Sequence, residues 1–278
     1  MEVEIAENAG TCFGVENAIK KALDSVKNCK EKVHILGEIV HNPFVVKKLN
    51  ESGVKEIKST NELKEGTNLI IRAHGELKSV YDYCKEKNIE IIDCTCPFVK
   101  KAQNIATDLE KEGHQVVIIG DPEHPEVRGI LARTDNAFAV KSPEDIKEKK
   151  VKYGKLGILS QTTQTHENFT EIVARIVRHS KIIKVYNTIC TATEERQISA
   201  KKLAKEVDLM IVVGGKNSSN TKRLHQLCSK TCESKWIQDP KEIDSKWFEG
   251  IKKVGITGGA STPKEIIQKL AQDLRDNY

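Results

Sequence analysis

The 278-residue sequence lacks long hydrophobic runs, and this absence bounds where the protein works. No apolar stretch approaches the ~20 residues that a membrane-spanning helix needs. The first residues, MEVEIAENAG, lack the basic and apolar regions of a signal peptide. We therefore expect a cytoplasmic protein that has no membrane-spanning segment.

Low-complexity tracts and a strong charge imbalance are also missing. Hydrophobic residues make up 38% of the chain and charged residues 31%, with 45 basic residues against 40 acidic ones. The net charge of +5 is too even to indicate a nucleic-acid partner, although it suits an acidic ligand or an acidic protein. The length predicts two or three compact globular units.

The cysteines form no CxxC…CxxC pair, so a zinc ribbon is excluded. In a reducing cytosol, cysteines are typically buried thiols, metal ligands or catalytic groups rather than disulfides. The segment GGKNSSN also lacks the GxxxxGK[ST] order of a P-loop, so nothing supports nucleotide hydrolysis. The 8 cysteines are Cys12, Cys29, Cys84, Cys94, Cys96, Cys190, Cys228 and Cys232.

What the sequence does contain is an alternation of short β-branched runs with longer segments of 3.6-residue period. This pattern is typical of α/β units with parallel sheets. We predict strands at 3–6, 32–36, 68–73, 89–93, 115–120, 155–160, 209–215 and 253–259. We predict helices at 15–27, 98–113, 166–179, 195–207 and 262–275.

Three segments align at a cysteine that precedes a predicted helix. They are AGTCFGVENAIKKA, DCTCPFVKKAQNIA and NTICTATEERQISA, with the aligned thiols at Cys12, Cys96 and Cys190. An alanine follows each cysteine by ten residues, at Ala22, Ala106 and Ala200. One interpretation is three related units that each present one thiol. The other is the ordinary appearance of loops between strands and helices.

The first interpretation has a chemical consequence. Ligands of open α/β sheets bind outside the carboxyl ends of the strands, where helix N-termini stabilise anions such as thiolates. Three cysteines suit a cubane iron–sulfur cluster in which one iron has no protein ligand, because complete ligation takes four. An open iron is a Lewis acid, so three thiols indicate catalysis rather than electron storage.

The other predicted strand ends carry imidazoles, hydroxyls, one amide and one carboxyl group. This inventory is typical of a site for a phosphorylated small molecule with one group for proton transfer. Each member also has a simpler interpretation: a lone histidine as a loop hydrogen-bonding group, Ser218 or Thr262 as a helix cap, and Glu126 as a favourable charge at a helix start. The set is His41, His74, His124, Glu126, Thr162, Thr163, Ser218, Ser219, Asn220 and Ser261.

Taken in order, the motifs resemble the 4-hydroxy-3-methylbut-2-enyl diphosphate reductase family of the non-mevalonate isoprenoid pathway. The motifs are GTCFGV, VHNPFVV, RAHG, DCTCPFV, HPEVRG, SQTT, ICTATEERQ, GGKNSSNT and GGAST, and they span nearly the whole chain. The resemblance implies three similar α/β domains with mainly parallel sheets, arranged pseudo-threefold around a central 4Fe–4S cluster. We place the domains at 1–96, 97–189 and 190–278, with strand 1–12 able to pack on the last.

The resemblance also implies roles for individual residues. The cluster ligands would be Cys12, Cys96 and Cys190. Glu126 and Thr162 would lie on the proton route to the substrate, with Thr163 beside them, and His124 would be a further catalytic residue. The substrate-binding set would be His41, His74, His124, Thr162, Thr163, Ser218, Ser219, Asn220 and Ser261.

The implied reaction is a reductive loss of the substrate's allylic hydroxyl group with two electrons and two protons. The hydroxyl would bind at the open iron, and the products would be isopentenyl and dimethylallyl diphosphates. The implied partners are the allylic diphosphate and an electron donor such as ferredoxin or flavodoxin, with no nucleic acid and no membrane. A cluster-dependent hydratase or dehydratase without net electron transfer is the main alternative.

One residue departs from the family pattern. Cys94 stands where the family usually has a small residue such as alanine. We expect Cys94 to be a packed spectator thiol, although an extended chain could point it the same way as Cys96. A redox or metal sensor built on Cys94 and Cys96 is a further alternative, but it leaves the polar strand ends unexplained.

Overall fold

The structure, a computed structural model, describes residues 1–29, 31–148 and 154–278. Its strands are β1 (Glu2–Ile5), β2 (Val33–Leu36), β3 (Lys55–Ile57), β4 (Asn68–Ile71), β5 (Glu90–Asp93), β6 (Gln115–Ile119), β7 (Ala137–Val140), β8 (Lys155–Ser160), β9 (Ile182–Val185), β10 (Leu209–Val213), β11 (Glu233–Ile237) and β12 (Lys253–Gly258). Its α-helices are α1 (Phe13–Asn28), α2 (Pro43–Glu51), α3 (Lys78–Glu86), α4 (Pro97–Lys111), α5 (Pro125–Leu131), α6 (Asp145–Glu148), α7 (His166–Ile176), α8 (Thr191–Leu203), α9 (Ser219–Ser229) and α10 (Lys264–Asn277). Short 3₁₀ helices lie at Thr60–Glu62, Val177–His179, Pro240–Glu242 and Ser245–Phe248.

The strands form three four-stranded sheets, and every strand pair is parallel. The first sheet has the order β3-β2-β4-β5, the second β7-β6-β8-β9 and the third β11-β10-β12-β1. The prediction of an α/β fold with parallel sheets is therefore confirmed.

The chain divides into two compact units. One unit contains residues 1–16, 40–48 and 191–278, and it holds the third sheet. The other contains residues 17–39 and 49–190, and it holds the first and second sheets. We call them the one-sheet unit and the two-sheet unit. The predicted domain boundaries after residues 96 and 189 remain a prediction.

All three sheets share one strand order. In the first and second sheets, the second strand in sequence lies at one edge, and the first, third and fourth strands follow it in that order across the sheet. The third sheet repeats this arrangement, but β1 takes the fourth position beside β12. Each aligned cysteine therefore follows a fourth, edge strand: Cys12 after β1, Cys96 after β5 and Cys190 after β9.

The central strands are buried because helices cover both faces of each sheet. β4 and β10 are buried along their whole length, and their side chains belong to apolar clusters with the flanking helices. Continuous apolar runs of this kind are typical of parallel sheets. The alanines ten residues after each aligned cysteine are all fully buried, which allows their helices to pack closely.

The eight predicted strands are present, but four further strands were not predicted. They are β3, β7, β9 and β11, each of which lies at the edge of its sheet. These strands are short or partly exposed, so they lack the apolar run that identifies a central strand. Helix α8 begins four residues before its predicted start, directly after Cys190.

Candidate active site

The three aligned cysteines occupy equivalent positions in their sheets. Each backbone N–H donates to a carbonyl in the loop after the neighbouring third strand: Cys12 to Ala260 at 3.3 Å, Cys96 to Ala73 at 3.0 Å, and Cys190 to Thr162 at 3.0 Å. A helix begins at the next residue in every case. The thiols therefore stand at helix N-termini, where the helix dipole stabilises a thiolate.

Three of the other five cysteines have a different environment, while Cys29 and Cys232 are partly exposed like the aligned three. Cys84, Cys94 and Cys228 are buried, whereas the three aligned cysteines are partly exposed. Burial raises the pKa of the Cys94 thiol to about 12. Burial likewise raises the pKa of Cys228 to about 12. A buried neutral thiol packs as a small apolar group, so this environment agrees with a spectator role for Cys94.

The loop that carries Cys12 is held in place by contacts within the one-sheet unit. Gly10 adopts φ +94°, and an added side chain there would crowd Lys264 and Thr262. The guanidinium group of Arg196 donates to the Gly10 carbonyl at 2.7 Å and to the Ala192 carbonyl at 2.7 Å. Cys12 then lines a cavity of about 280 Å³ in the one-sheet unit.

Arg196 is a functional-site residue that the sequence motifs did not predict. It lies four residues from Ala192 and four from the buried Ala200, on the same face of α8, and it is itself buried. A charged residue on the core-facing side of a helix is the signal that could have identified it, because buried charges need specific partners.

The carboxyl end of the second sheet holds the acid. Glu126, in the first turn of α5, is only 2% exposed. Its Oε1 accepts from the Thr162 backbone N–H at 2.6 Å, and its Oε2 accepts from the Thr162 hydroxyl at 2.9 Å. The Thr162 carbonyl accepts from the backbone N–H of Cys190, so hydrogen bonds join the residues Glu126, Thr162 and Cys190 in one continuous set.

His124 caps the helix that carries this acid. Its Nδ1 accepts from the Glu126 backbone N–H at 3.2 Å. The ring of His74 meets the ring of His124 edge to face, with 5.3 Å between centroids. His74 follows β4 and His124 follows β6, so the first and second sheets bring these two predicted residues together within the two-sheet unit. Thr163 follows Thr162 and is half-buried.

The His74 turn has supports that were not predicted. Arg72 and Glu76 form an ion pair at 2.5 Å across the turn, and the Glu76 carboxylate is largely buried. Gly75 has φ +77°, and a side chain added there would meet Gln103 of α4. A side chain added at Gly129 of α5 would also crowd Gln103. The turn therefore packs closely on α4 and α5, which limits where His74 can lie.

The carboxyl end of the third sheet holds hydroxyls and an amide. Ser218 is the N-cap of α9, its Oγ accepting from Thr221 N–H at 3.3 Å. Asn220, 5% exposed, has no hydrogen-bond partner for its Nδ2 among the described residues. Ser261 donates to the backbone carbonyl of His41 at 3.3 Å. Ser219 is half-buried beside them. A buried donor without a partner is costly, so the Asn220 amide is suited to donate to an acceptor on a ligand.

The simpler interpretations have mixed outcomes. Ser218 is indeed a helix cap, but Thr262 is not, because its hydroxyl donates to the Val213 carbonyl at 2.9 Å and α10 is capped by Pro263. Glu126 does stand at a helix start, yet both of its oxygens also bond to Thr162. A favourable charge at a helix start is therefore not a sufficient account of Glu126.

Fold and site together define a class: a parallel α/β protein with thiols, imidazoles, hydroxyls and a buried carboxylate at the carboxyl ends of its strands. A family profile described as "LytB protein" matches residues 3–275. The chain belongs to this family. Within the described residues, no helix is both long and apolar enough to cross a membrane.

The chain is similar to curated proteins named 4-hydroxy-3-methylbut-2-enyl diphosphate reductase. The protein from Geobacter metallireducens is 42% identical over 277 residues, covering 99% of this chain and 98% of the relative. That from Aquifex aeolicus is 42% identical over 281 residues, covering 99% and 96%. The resemblance inferred from the motifs, and the prediction of an oxidoreductase, are confirmed.

Two solved structures match the whole fold. One, titled as the terminal enzyme of the non-mevalonate pathway, is 42% identical with a TM-score of 0.73 and covers 99% of this chain and 100% of its own. The corresponding reductase from Plasmodium falciparum is 28% identical with a TM-score of 0.94 and covers 99% and 88%. The family is iron–sulfur dependent, and the cysteine thiols described above are compatible with that.

Proposed function

We propose that the protein reduces 4-hydroxy-3-methylbut-2-enyl diphosphate to isopentenyl and dimethylallyl diphosphates. The reaction takes two electrons and two protons and removes the allylic hydroxyl group as water. The observation that carries the proposal is the repeated cysteine position, beside a third-strand loop and directly before a helix, in all three sheets. Names of relatives aligned over nearly the whole chain support the same substrate.

Cys12, Cys96 and Cys190 would hold one 4Fe–4S cluster. Thiolate sulfur is the donor that such clusters require, and these three thiols are partly exposed at helix N-termini. When bound, the cluster supplies single electrons and a Lewis-acidic iron. Three ligands leave one iron without a protein donor, which suits catalysis.

Glu126 and Thr162 would deliver the protons. The Thr162 hydroxyl already donates to Glu126 Oε2 at 2.9 Å, so a proton held on this carboxyl group has a hydroxyl at hydrogen-bond distance as its next carrier. Burial of both side chains keeps bulk water from competing for that proton. His124, which caps α5, would fix the orientation of the acid.

The diphosphate would be bound by imidazoles, hydroxyls and helix N-termini. In the one-sheet unit these are His41, Ser218, Ser219, Asn220 and Ser261. In the two-sheet unit they are His74, His124, Thr162 and Thr163. Anions bind at helix N-termini because backbone N–H groups and the helix dipole converge there, and α9 starts at Ser219. The unpaired Nδ2 of Asn220 would donate to a phosphate oxygen.

We further propose a small acidic one-electron carrier, of the ferredoxin or flavodoxin class, as the reductant. We place the reaction in the cytosol, because a reducing compartment maintains free thiols such as the eight of this chain. A hydratase or dehydratase without net electron transfer is not favoured, because the curated relatives are reductases.

The proposal is tested by anaerobic purification, counting of iron and sulfide, and an assay with reduced methyl viologen and the allylic diphosphate. Ser replacements at Cys12, Cys96 and Cys190 should each lose cluster iron and turnover. Cys94→Ser is the matched control, two residues from Cys96, and should keep both. If Cys94→Ser loses its iron while Cys96→Ser retains it, the ligand assignment is wrong. Turnover without a reductant would reject the reaction.

A further inference from the structure

An exposed strip of apolar and basic side chains borders the second sheet. It comprises Val177, Arg178, Lys181, Ile182, Lys184, Val185 and Tyr186, and we call it the β9 edge. All four of its apolar side chains are exposed: Val177 53%, Ile182 51%, Val185 44% and Tyr186 38%. Several exposed apolar side chains along one sheet edge are a signal of a site of interaction.

The backbone of this strip is also available for pairing. β9 is the outermost strand of the second sheet in the part of the chain that the structure describes, and its ladder is to β8 alone. Edge strands with free backbone groups can accept an added strand or loop from a partner. Within β9, Ile183 is the residue that packs against the apolar core, and this contact holds the edge in place.

The charge of the strip is positive. Residues 172–193 contain four Lys or Arg residues and no Asp or Glu. Lys184 is paired with Glu112 at 2.5 Å, and Arg175 with Glu144 at 3.6 Å. Arg178 and Lys181 are exposed and form no ion pair with any described residue. Their charge is therefore free to attract an acidic surface.

The β9 edge leads directly to a predicted cluster ligand. Tyr186 N–H donates to Ile158 O at 2.8 Å, Ser160 N–H to Thr188 Oγ1 at 2.8 Å, and Cys190 N–H to Thr162 O at 3.0 Å. The chain from Tyr186 to Cys190 thus runs extended along β8 and the turn after it. Four residues at strand spacing cover about 13 Å. The rate of electron transfer falls steeply with distance. A carrier bound at the β9 edge would therefore be well placed to pass electrons to a cluster held by Cys190.

We propose that the β9 edge is the docking surface for a small acidic one-electron carrier protein. This inference rests on the proposed function, since it needs Cys190 to hold the cluster. A second copy of the chain fits less well, because antiparallel pairing of two β9 edges in the register that aligns Lys181 with Lys184 would set like charges against each other. Redox encounters bury little area and rely on charge steering, which suits a narrow apolar strip with basic residues.

The test measures carrier binding and carrier-driven turnover separately. Holoenzyme carrying Arg178→Glu and Lys181→Glu is titrated with a purified, acidic bacterial ferredoxin at low salt. We expect the dissociation constant and the KM for ferredoxin to rise about tenfold, and the difference from the parent protein to shrink as salt screens the charges. Turnover with reduced methyl viologen should not change, because a small dye does not need the surface.

The matched control is Lys241→Glu with Lys246→Glu, two exposed lysines of the one-sheet unit. It should leave ferredoxin binding unchanged. Equal losses in control and test proteins, or none in the test protein, would overturn the proposal. So would light scattering that shows a dimer dissociated by the β9-edge substitutions, with ferredoxin binding unaffected. Absence of dye-driven turnover in the parent protein would instead reject the proposed function, and the binding titration would still decide whether ferredoxin docks at this edge.

Discussion

The carboxyl ends of the second and third sheets share one topology but differ in chemistry. In each, a polar side chain caps the helix after the first strand: His124 caps α5, and Ser218 caps α9. At the second sheet the cap is followed by a buried carboxylate whose two oxygens both accept hydrogen bonds. At the third sheet it is followed by an amide with an unpaired donor, Asn220.

This difference separates two tasks. A buried carboxylate repels an anionic diphosphate but can hold and release a proton, whereas amide and hydroxyl donors attract phosphate oxygens. Under the proposed function, the same strand–loop–helix arrangement would support proton transfer at one sheet and anion binding at another. The residue two positions after the cap, Glu126 or Asn220, would then decide which task each sheet performs.

The largest expected effect comes from removing the acid at the second sheet. Glu126→Gln keeps the size and most hydrogen-bonding geometry but cannot supply a proton. We expect kcat with reduced methyl viologen to fall by about 10²–10⁴-fold, with iron content and pyrophosphate binding unchanged. Glu123→Gln, an exposed neighbour, is the control and should be fully active. Normal turnover in Glu126→Gln would show that the second sheet does not supply the proton.

A carboxylate introduced at the third sheet should produce the next largest effect. Asn220→Asp replaces the unpaired donor by an acceptor of negative charge, so binding of inorganic pyrophosphate should weaken by about 10–100-fold. Isothermal titration calorimetry gives the dissociation constant. Asn217→Asp adds the same charge at an exposed position of the same loop and should change binding far less. Equal weakening in the two variants would mean that general charge repulsion, rather than the Asn220 amide, controls binding.

The smallest effect should come from the Thr162 hydroxyl, which donates to the acid at the second sheet. Thr162→Val removes the bond to Glu126 Oε2 but leaves the backbone N–H bond to Oε1. We expect kcat to fall about tenfold and the free energy of unfolding to drop by about 1–3 kcal/mol. Thr162→Ser, which retains the hydroxyl, should recover kcat. If Thr162→Ser is as slow as Thr162→Val, the hydroxyl is not on the proton route.

The supports of the His74 turn illustrate what sequence patterns miss. The RAHG motif identified His74, but the Arg72–Glu76 ion pair and the contact of Gly75 with Gln103 were not predicted. Gln103 comes from α4, whose periodic pattern shows only that one face is buried. Which loop lies against that face depends on the packing of separate sheets. A pattern along one helix carries no information about that.

The cysteines show both what a sequence motif can predict and what it cannot. Their place before a helix is local, so the aligned motifs predicted it for Cys12, Cys96 and Cys190. The different environments of Cys94 and Cys96 are not local. Both backbone N–H groups donate to the chain of β4 and its following loop, at Ile71 and Ala73, yet Cys94 is buried and Cys96 partly exposed. What packs over each side chain decides its exposure.

The sequence by itself determined the alternating α/β elements, the three helix-start cysteines and the polar residues at the strand ends. These features depend on hydrophobic period and neighbouring residues, which the chain order contains. Only the tertiary structure decided that β1 completes the third sheet beside β12, and that Thr162 reaches Glu126. Both pairings join residues distant in sequence, and their partners are selected by sheet order and burial rather than by any local preference.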